Sequence, residues 1–194
     1  MEKTIKTKKY FRNTEFRSGD IDEDKRTVSL SFSSELPVER YFGDEILDHS
    51  QESVDMSRLQ NGAPVLVDHA GDQIGVVEDA TIAPDKRGYA TLRFGRSQRA
   101  KEVFADIVDG IRRNVSFGYQ IKEMIEEVKG VFRATSWLPF EISIVSTPAD
   151  PTIGIGRDMD DLEVDTIVQS ADEPAQDIVQ EQEQTETIIL VIED

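Results

Sequence analysis

The chain contains no cysteine, which excludes disulfide staples and thiol chemistry. Only two of its 194 residues are histidines, His49 and His69, so any chemistry that needs an imidazole must use one of them. Apolar runs are a few residues long, too short to span a bilayer. The opening "MEKTIKTKKYFR" lacks the apolar stretch of a secretory leader. A soluble protein of a reducing compartment is expected. Basic residues are missing from one end: residues 158–194 hold 13 acidic side chains and no Lys or Arg. Of the formal charge of −17, the rest of the chain carries only −4, from 26 acidic and 22 basic residues. A tail of this composition cannot offset its ordering entropy by burial and is expected to be disordered. It also repels nucleic acid, and DNA binding by the whole chain is not expected, since that needs basic charge to displace counterions.

What is present reads mostly as strands. "YFRNTEFRS", "RTVSLSFSS", "APVLVDH", "QIGVVEDATIA", "RGYATLRF", "VFRATSWLP" and "FEISIVS" are short β-like runs with turn residues between them. "ERYFGDEILDH" is ambiguous. The spacing of the turns suggests a closed or nearly closed β-structure. One segment differs. "SQRAKEVFADIVDG" places Ala100, Phe104 and Val108, and likewise Val103, Ile107 and Ile111, at i, i+4 spacing. Ser97 suits the N-cap and Gly110 a left-handed C-cap, with Ile111 folding back on the last turn. A shorter helix is expected over "VDMSRLQNG". No internal repeat is visible.

Three side chains invite chemical readings. In "IRRNVSFGYQI" the residues Val115, Phe117, Tyr119 and Ile121 alternate, which turns Ser116, Gly118 and Gln120 to a second face expected to be open. On spacing alone, a serine on such a face is ordinarily just that. Asn114 occupies the place of the first glycine of G-x-S-x-G, so this is no nucleophile elbow. Gly118 leaves space on the face of Ser116, as a substrate would need. His69 ends "PVLVDH" before the corner "AGDQIG", where it either meets solvent or faces a cleft. A serine needs a base, and imidazole suits the task. Glu141 lies in "LPFEISIVSTPADP" opposite the apolar trio Phe140, Ile142 and Ile144. It is either paired with a Lys or Arg, exposed, or bonded to a histidine. His49, His69 and a carboxylate could in principle hold zinc, but neither histidine sits in a metal-spacing motif.

"GAPVLVDHAGDQIGVVEDA", "DGIRRNVSFGYQI" and "WLPFEISIVSTPADPTIGIGR" follow one another in this order, with the helix between the first two. Together they resemble the prohead maturation proteases of tailed bacteriophages, which are similar in fold to the herpesvirus assemblins. The resemblance covers roughly residues 10–157. It implies a mainly β fold with flanking helices (α+β), a compact β-barrel over residues 1–157, followed by the acidic tail 158–194. It implies a serine endopeptidase with Ser116 as nucleophile and His69 as general base. Glu141 stands where the assemblins use a second histidine as third member; His49 is structural or cleft-lining, or takes that third place itself. Neither metal nor cofactor is needed. The implied substrates are the major capsid protein precursor, the scaffold and the protease itself. No nucleic acid or membrane partner is implied, and a homo-oligomer is allowed. The implied location is the bacterial host cytoplasm, inside the immature prohead. A different reading is a non-enzymatic internal assembly or scaffolding factor that keeps the fold.

Overall fold

The computed structural model describes residues 21–146 and the backbone of three further strands, β1 (Lys3–Thr7), β2 (Tyr10–Glu15) and β12 (Val164–Ser170). Between them run β3 (Ile21–Asp22), β4 (Thr27–Ser34), β5 (Val38–Arg40), β6 (Gly43–Leu47), α1 (Ser57–Gln60), β7 (Pro64–Val67), β8 (Ala70–Ile82) and β9 (Arg87–Phe94). The short helix α2 (Gln98–Val108) leads into the two longest strands, β10 (Asn114–Val128) and β11 (Val131–Val145). The fold is mainly β, a single curled sheet with two helices against it. Its order is β1-β12-β10-β11-β7-β8-β9-β4-β3.

Period-two patterning explains the outer strands. Along β9, Gly88, Ala90, Leu92 and Phe94 are buried, while Arg87, Tyr89 and Arg93 are exposed. The centre is different. One edge of β10 is taken by β11, antiparallel, and the other by β2 along Asn114–Tyr119 and by β12 along Glu123–Glu126. The far edge of β11 is covered by β6 and then β7, both parallel. Because β4 also approaches β2 and β10, residues on both faces of β10 are buried from Val115 to Tyr119. The core gathers Phe32, Phe117, Tyr119 and Trp137, whose rings contact one another, with Leu47, Leu59, Leu92 and Phe94.

The helix caps match their residue types. Ser97 Oγ accepts the Ala100 N–H at 3.2 Å. At the other end Gly110 adopts φ 70°, its N–H bonds Ile107 O, and the Ile111 N–H bonds Asp106 O, the double bond of a Schellman motif. Ile111 does not pack back, however; it is 70% exposed. The position it would cover in such a motif is Asp106, which offers no apolar contact. "ERYFGDEILDH" forms the β5–β6 hairpin. "VFRATSWLP" and "FEISIVS" are one strand rather than two, interrupted by a bulge: Gly118 pairs with Glu141 but Tyr119 with Pro139, leaving Phe140 as the extra residue. Within the segment read as a tail, β12 pairs with β1 and β10. Residues 147–163 and 171–194 lie outside the described residues.

Asp55 tethers α1 to β10. It accepts hydrogen bonds from the Ser57 hydroxyl at 2.5 Å and from Lys122 Nζ at 2.9 Å. These bonds, the Ser57 hydroxyl first, hold its carboxyl at about 2. A depressed carboxyl stabilises the fold above its unfolded value of about 3.9 and loses that contribution as pH falls towards the folded value. Urea unfolding at several pH values should therefore show Asp55→Asn losing less stability than the parent chain between about pH 4 and pH 2. The difference should stay below about 1 kcal/mol, because the pair is solvent-screened.

Candidate active site

The site begins at a tight turn. Val67 pairs with Ala70, so β7 and β8 are joined by only Asp68 and His69. Both take positive φ, 50° and 61°, the signature of a type I′ hairpin. Side chains other than Gly or Asn are strained there, by roughly 1–3 kcal/mol each. The turn is held by the end of β11. The Asp68 N–H bonds Ile144 O at 3.1 Å, the Asp68 carboxylate accepts the Ser146 N–H at 2.9 Å, and the His69 N–H reaches Ser143 Oγ at 3.3 Å. Ser146 Oγ in turn accepts from Arg112.

This anchoring sets the imidazole over β11. His69 Nδ1 lies 2.7 Å from Glu141 Oε1, and Ser143 Oγ donates to Glu141 Oε2 at 2.6 Å. An ionised carboxylate only accepts, so Nδ1 carries the proton. The Glu141 side chain is 5% exposed and that of His69 16%. Of the partners open to Glu141 in the sequence, the structure shows the histidine.

Gly118 faces Glu141 across the β10–β11 ladder. A Cβ at Gly118 would lie 2.7 Å from both Glu141 Oε1 and the Phe140 ring. The space beside Ser116 that was expected to admit a substrate is therefore occupied by the carboxylate and by Phe140, which the bulge turns away from Ile142 and Ile144. Ser116 itself is completely buried, and among the described residues its Oγ has no hydrogen-bond partner. The open face expected for it is closed, because both edges of β10 are occupied and the sheet curls over. Alternation shows which residues share a face, not what lies above it. In register, Ser116 stands between Ser143 on β11 and Asn13 on β2. The structure thus joins His69 to Glu141 and places Ser116 one strand from Ser143, without a hydrogen bond from Ser116 to the imidazole.

His49 sits elsewhere in the bonding network. It is 2% exposed, with Nδ1 2.8 Å from Leu47 O, Nε2 2.8 Å from Ser33 Oγ and its ring against Trp137. A carbonyl only accepts, so Nδ1 donates and Nε2 accepts the Ser33 proton in the neutral ring. Among the described residues no three metal-binding side chains cluster. Two members of the site escaped the sequence reading as functional groups: Ser143 and Asp68. Their only signals were placement, Ser143 two residues from Glu141 on one strand face and Asp68 beside the histidine at a corner.

The chain belongs to a family of viral serine proteases. It is the family described as caudovirus prohead serine protease, which matches residues 27–164 and so includes His69, Ser116 and Glu141. The protein named "Major capsid protein" of Halomonas phage phiHAP-1 (isolate -/Gulf of Mexico/-/2001) is 52% identical over 139 residues, 68% of this chain and 23% of that protein. The chain therefore spans about a quarter of the length of that relative. No solved structure matches. Among the described residues no helix is long and apolar enough to cross a membrane.

Gly118→Ala should break the site from below. The added methyl must displace the Glu141 carboxylate or the Phe140 ring, at a cost of about 1–3 kcal/mol. Chemical denaturation should show the loss, and the imidazole N–H signal of His69 in NMR spectra should shift as Glu141 moves.

Proposed function

We propose that the chain is a serine endopeptidase acting in phage prohead maturation, with Ser116 as nucleophile, His69 as general base and Glu141 as the group that orients and stabilises the imidazole. The observation that carries this reading is the 2.7 Å bond from His69 Nδ1 to Glu141 Oε1, inside the segment matched by a serine protease family. With Nδ1 engaged by the carboxylate, proton transfer falls to Nε2. His69 takes the Ser116 proton as Oγ attacks a peptide carbonyl carbon. The tetrahedral oxyanion then collapses, the leaving amine receives the proton, and water hydrolyses the acyl-serine with His69 again as base. Glu141 stays ionised throughout and stabilises the transient imidazolium. The chemistry calls for neither metal nor cofactor. Ser116 Oγ must come within about 2.6–3.2 Å of the imidazole for this sequence, so the reading includes a movement of β10 or of the turn that also admits the peptide.

The proposed substrates are the major capsid protein precursor, the scaffold and the chain itself. Similarity to a protein named major capsid protein supports capsid protein as the first of these. Residues 1–157 are proposed as the protease domain and residues 158–194 as an acidic appendage, with β12 the part that returns to the sheet. A second reading, a non-catalytic assembly factor, is favoured by one observation: the Ser116 hydroxyl is buried and, among the described residues, unpartnered.

Co-expression with the capsid protein of the same phage, followed by mass spectrometry, separates the two. Ser116→Ala and His69→Ala should each abolish cleavage, a loss of several orders of magnitude, and the double variant should be little worse. Removing a buried, unsatisfied hydroxyl should leave Ser116→Ala at least as stable as the parent, by up to about 1 kcal/mol. Glu141→Gln should lower turnover less than loss of the nucleophile does. His49→Ala should cost stability, about 2–4 kcal/mol from a cavity and two stranded polar groups, but keep turnover per folded molecule. Unchanged capsid processing by Ser116→Ala would end the enzyme reading.

A further inference from the structure

We infer that Ser143 is a positioning residue of the proposed catalytic group, one hydroxyl that fixes the carboxylate and the turn of the base together. Its kinetic consequences rest on the serine endopeptidase reading; its geometry does not. Ser143 is completely buried. Its Oγ lies 2.6 Å from Glu141 Oε2 and 3.3 Å from the His69 backbone nitrogen. A backbone N–H can only donate and an ionised carboxylate can only accept, so the directions of both bonds are set: His69 N–H to Oγ, and Oγ–H to Glu141. The hydroxyl spends its single proton on the carboxylate.

Two kinds of freedom are removed at once. The terminal torsion of a glutamate is broad and roughly two-fold. With Oε2 held by Ser143 and Oε1 by His69 Nδ1, the carboxylate plane is fixed at both ends. The second freedom is that of the turn. His69 holds a left-handed conformation, φ 61°, which persists only where surrounding contacts over-determine it. The bond to Ser143 is one of those contacts, and it acts on the same residue whose ring meets Glu141. The bonds therefore close a ring from Ser143 to Glu141, to the imidazole, to the His69 backbone and back to Ser143. Ser143 is also the cross-strand partner of Ser116, which sets their Cβ atoms about 4.5–5.5 Å apart. The ring is thereby referenced to the strand that carries the proposed nucleophile. The other charged groups at the turn, Asp68 and Arg112, both bond Ser146 rather than Ser143, so substituting Ser143 leaves their contacts in place.

The test uses the full chain with Ser143→Ala and Ser143→Thr. Ser143→Ala should lower kcat about 10- to 100-fold, the scale of a misplaced catalytic group, with KM within about two-fold. Ser143→Thr keeps a hydroxyl and should recover most of that loss. Spectra that detect imidazole N–H protons should show the His69 Nδ1–H signal displaced in Ser143→Ala and close to the parent position in Ser143→Thr. The spectrum reports the geometry even in a chain without peptidase activity, so failure of the enzyme reading and failure of this inference are told apart. An unmoved His69 Nδ1–H signal in folded Ser143→Ala overturns the inference. So does a parental kcat in an active Ser143→Ala enzyme. If Ser143→Thr fails to fold, these two outcomes of Ser143→Ala decide alone.

Discussion

A carboxylate inside a β-sheet must be paired, and Glu141, 4% exposed, imposes that demand on everything around it. Removing one member of such a buried pair costs about 3–5 kcal/mol, because the other charge or dipole is left stranded. Three features of the chain answer the demand. Position 118 lacks a side chain, which leaves room for Oε1 where a Cβ would collide. Position 143 carries a hydroxyl that reaches Oε2. The β7–β8 connection has shrunk to two residues with positive φ, which carries the imidazole to Oε1. The strain of that turn is compensated by bonds to Ile144, Ser146 and Ser143, all on the strand of Glu141 or just beyond it. Strained turn and buried charge stabilise each other.

Ser116 is the place where this mutual satisfaction stops. Most buried polar atoms in folded proteins have a partner, and an orphaned hydroxyl costs about 1–3 kcal/mol. Ser116 Oγ has none among the described residues, although Ser143, its neighbour across the ladder, has two. Alanine would fit the same site without the penalty. A packing argument therefore gives no reason for a serine here; the proposed role as nucleophile would supply one, although the same burial also fits the non-catalytic reading. The same fact sets a condition on any such chemistry: the hydroxyl must first gain the partner it lacks.

The outer strands were legible because one face of each meets water. In β9 the buried and exposed residues alternate along Arg87–Phe94, with Thr91 half-buried, and the α2 caps followed from Ser97 and Gly110. The centre of the sheet was less legible for the same reason: where both faces are buried, alternation separates nothing. Alternation alone therefore gives Ser116 an open face that the fold closes. Gly118 suggests room for a substrate, since a missing side chain shows in sequence but its occupant does not. Phe140 was grouped with Ile142 and Ile144 because a bulge shifts the phase of a strand without changing its composition. Glu141 and His69, 72 positions apart in sequence, came together in the reading through resemblance of whole segments; no local pattern links them.

The two histidines show what sequence can narrow and only structure can divide. Both carry hydrogen bonds from their rings and both lie near the ends of short strands. They differ in the charge of the acceptor at Nδ1. His49 meets a backbone carbonyl and a serine hydroxyl, both neutral, in a site closed by Trp137. His69 meets a carboxylate, and its side chain keeps 16% of its exposure. A bond to an ionised acceptor is roughly twice as strong as one between neutral groups, so the carboxylate holds the His69 ring the more firmly. Neutral partners give a ring no such help, and a buried imidazolium at His49 would also displace the Ser33 proton that Nε2 accepts. The charge of the acceptor at Nδ1, more than position along the chain, thus separates the two histidines, in line with the roles proposed for them.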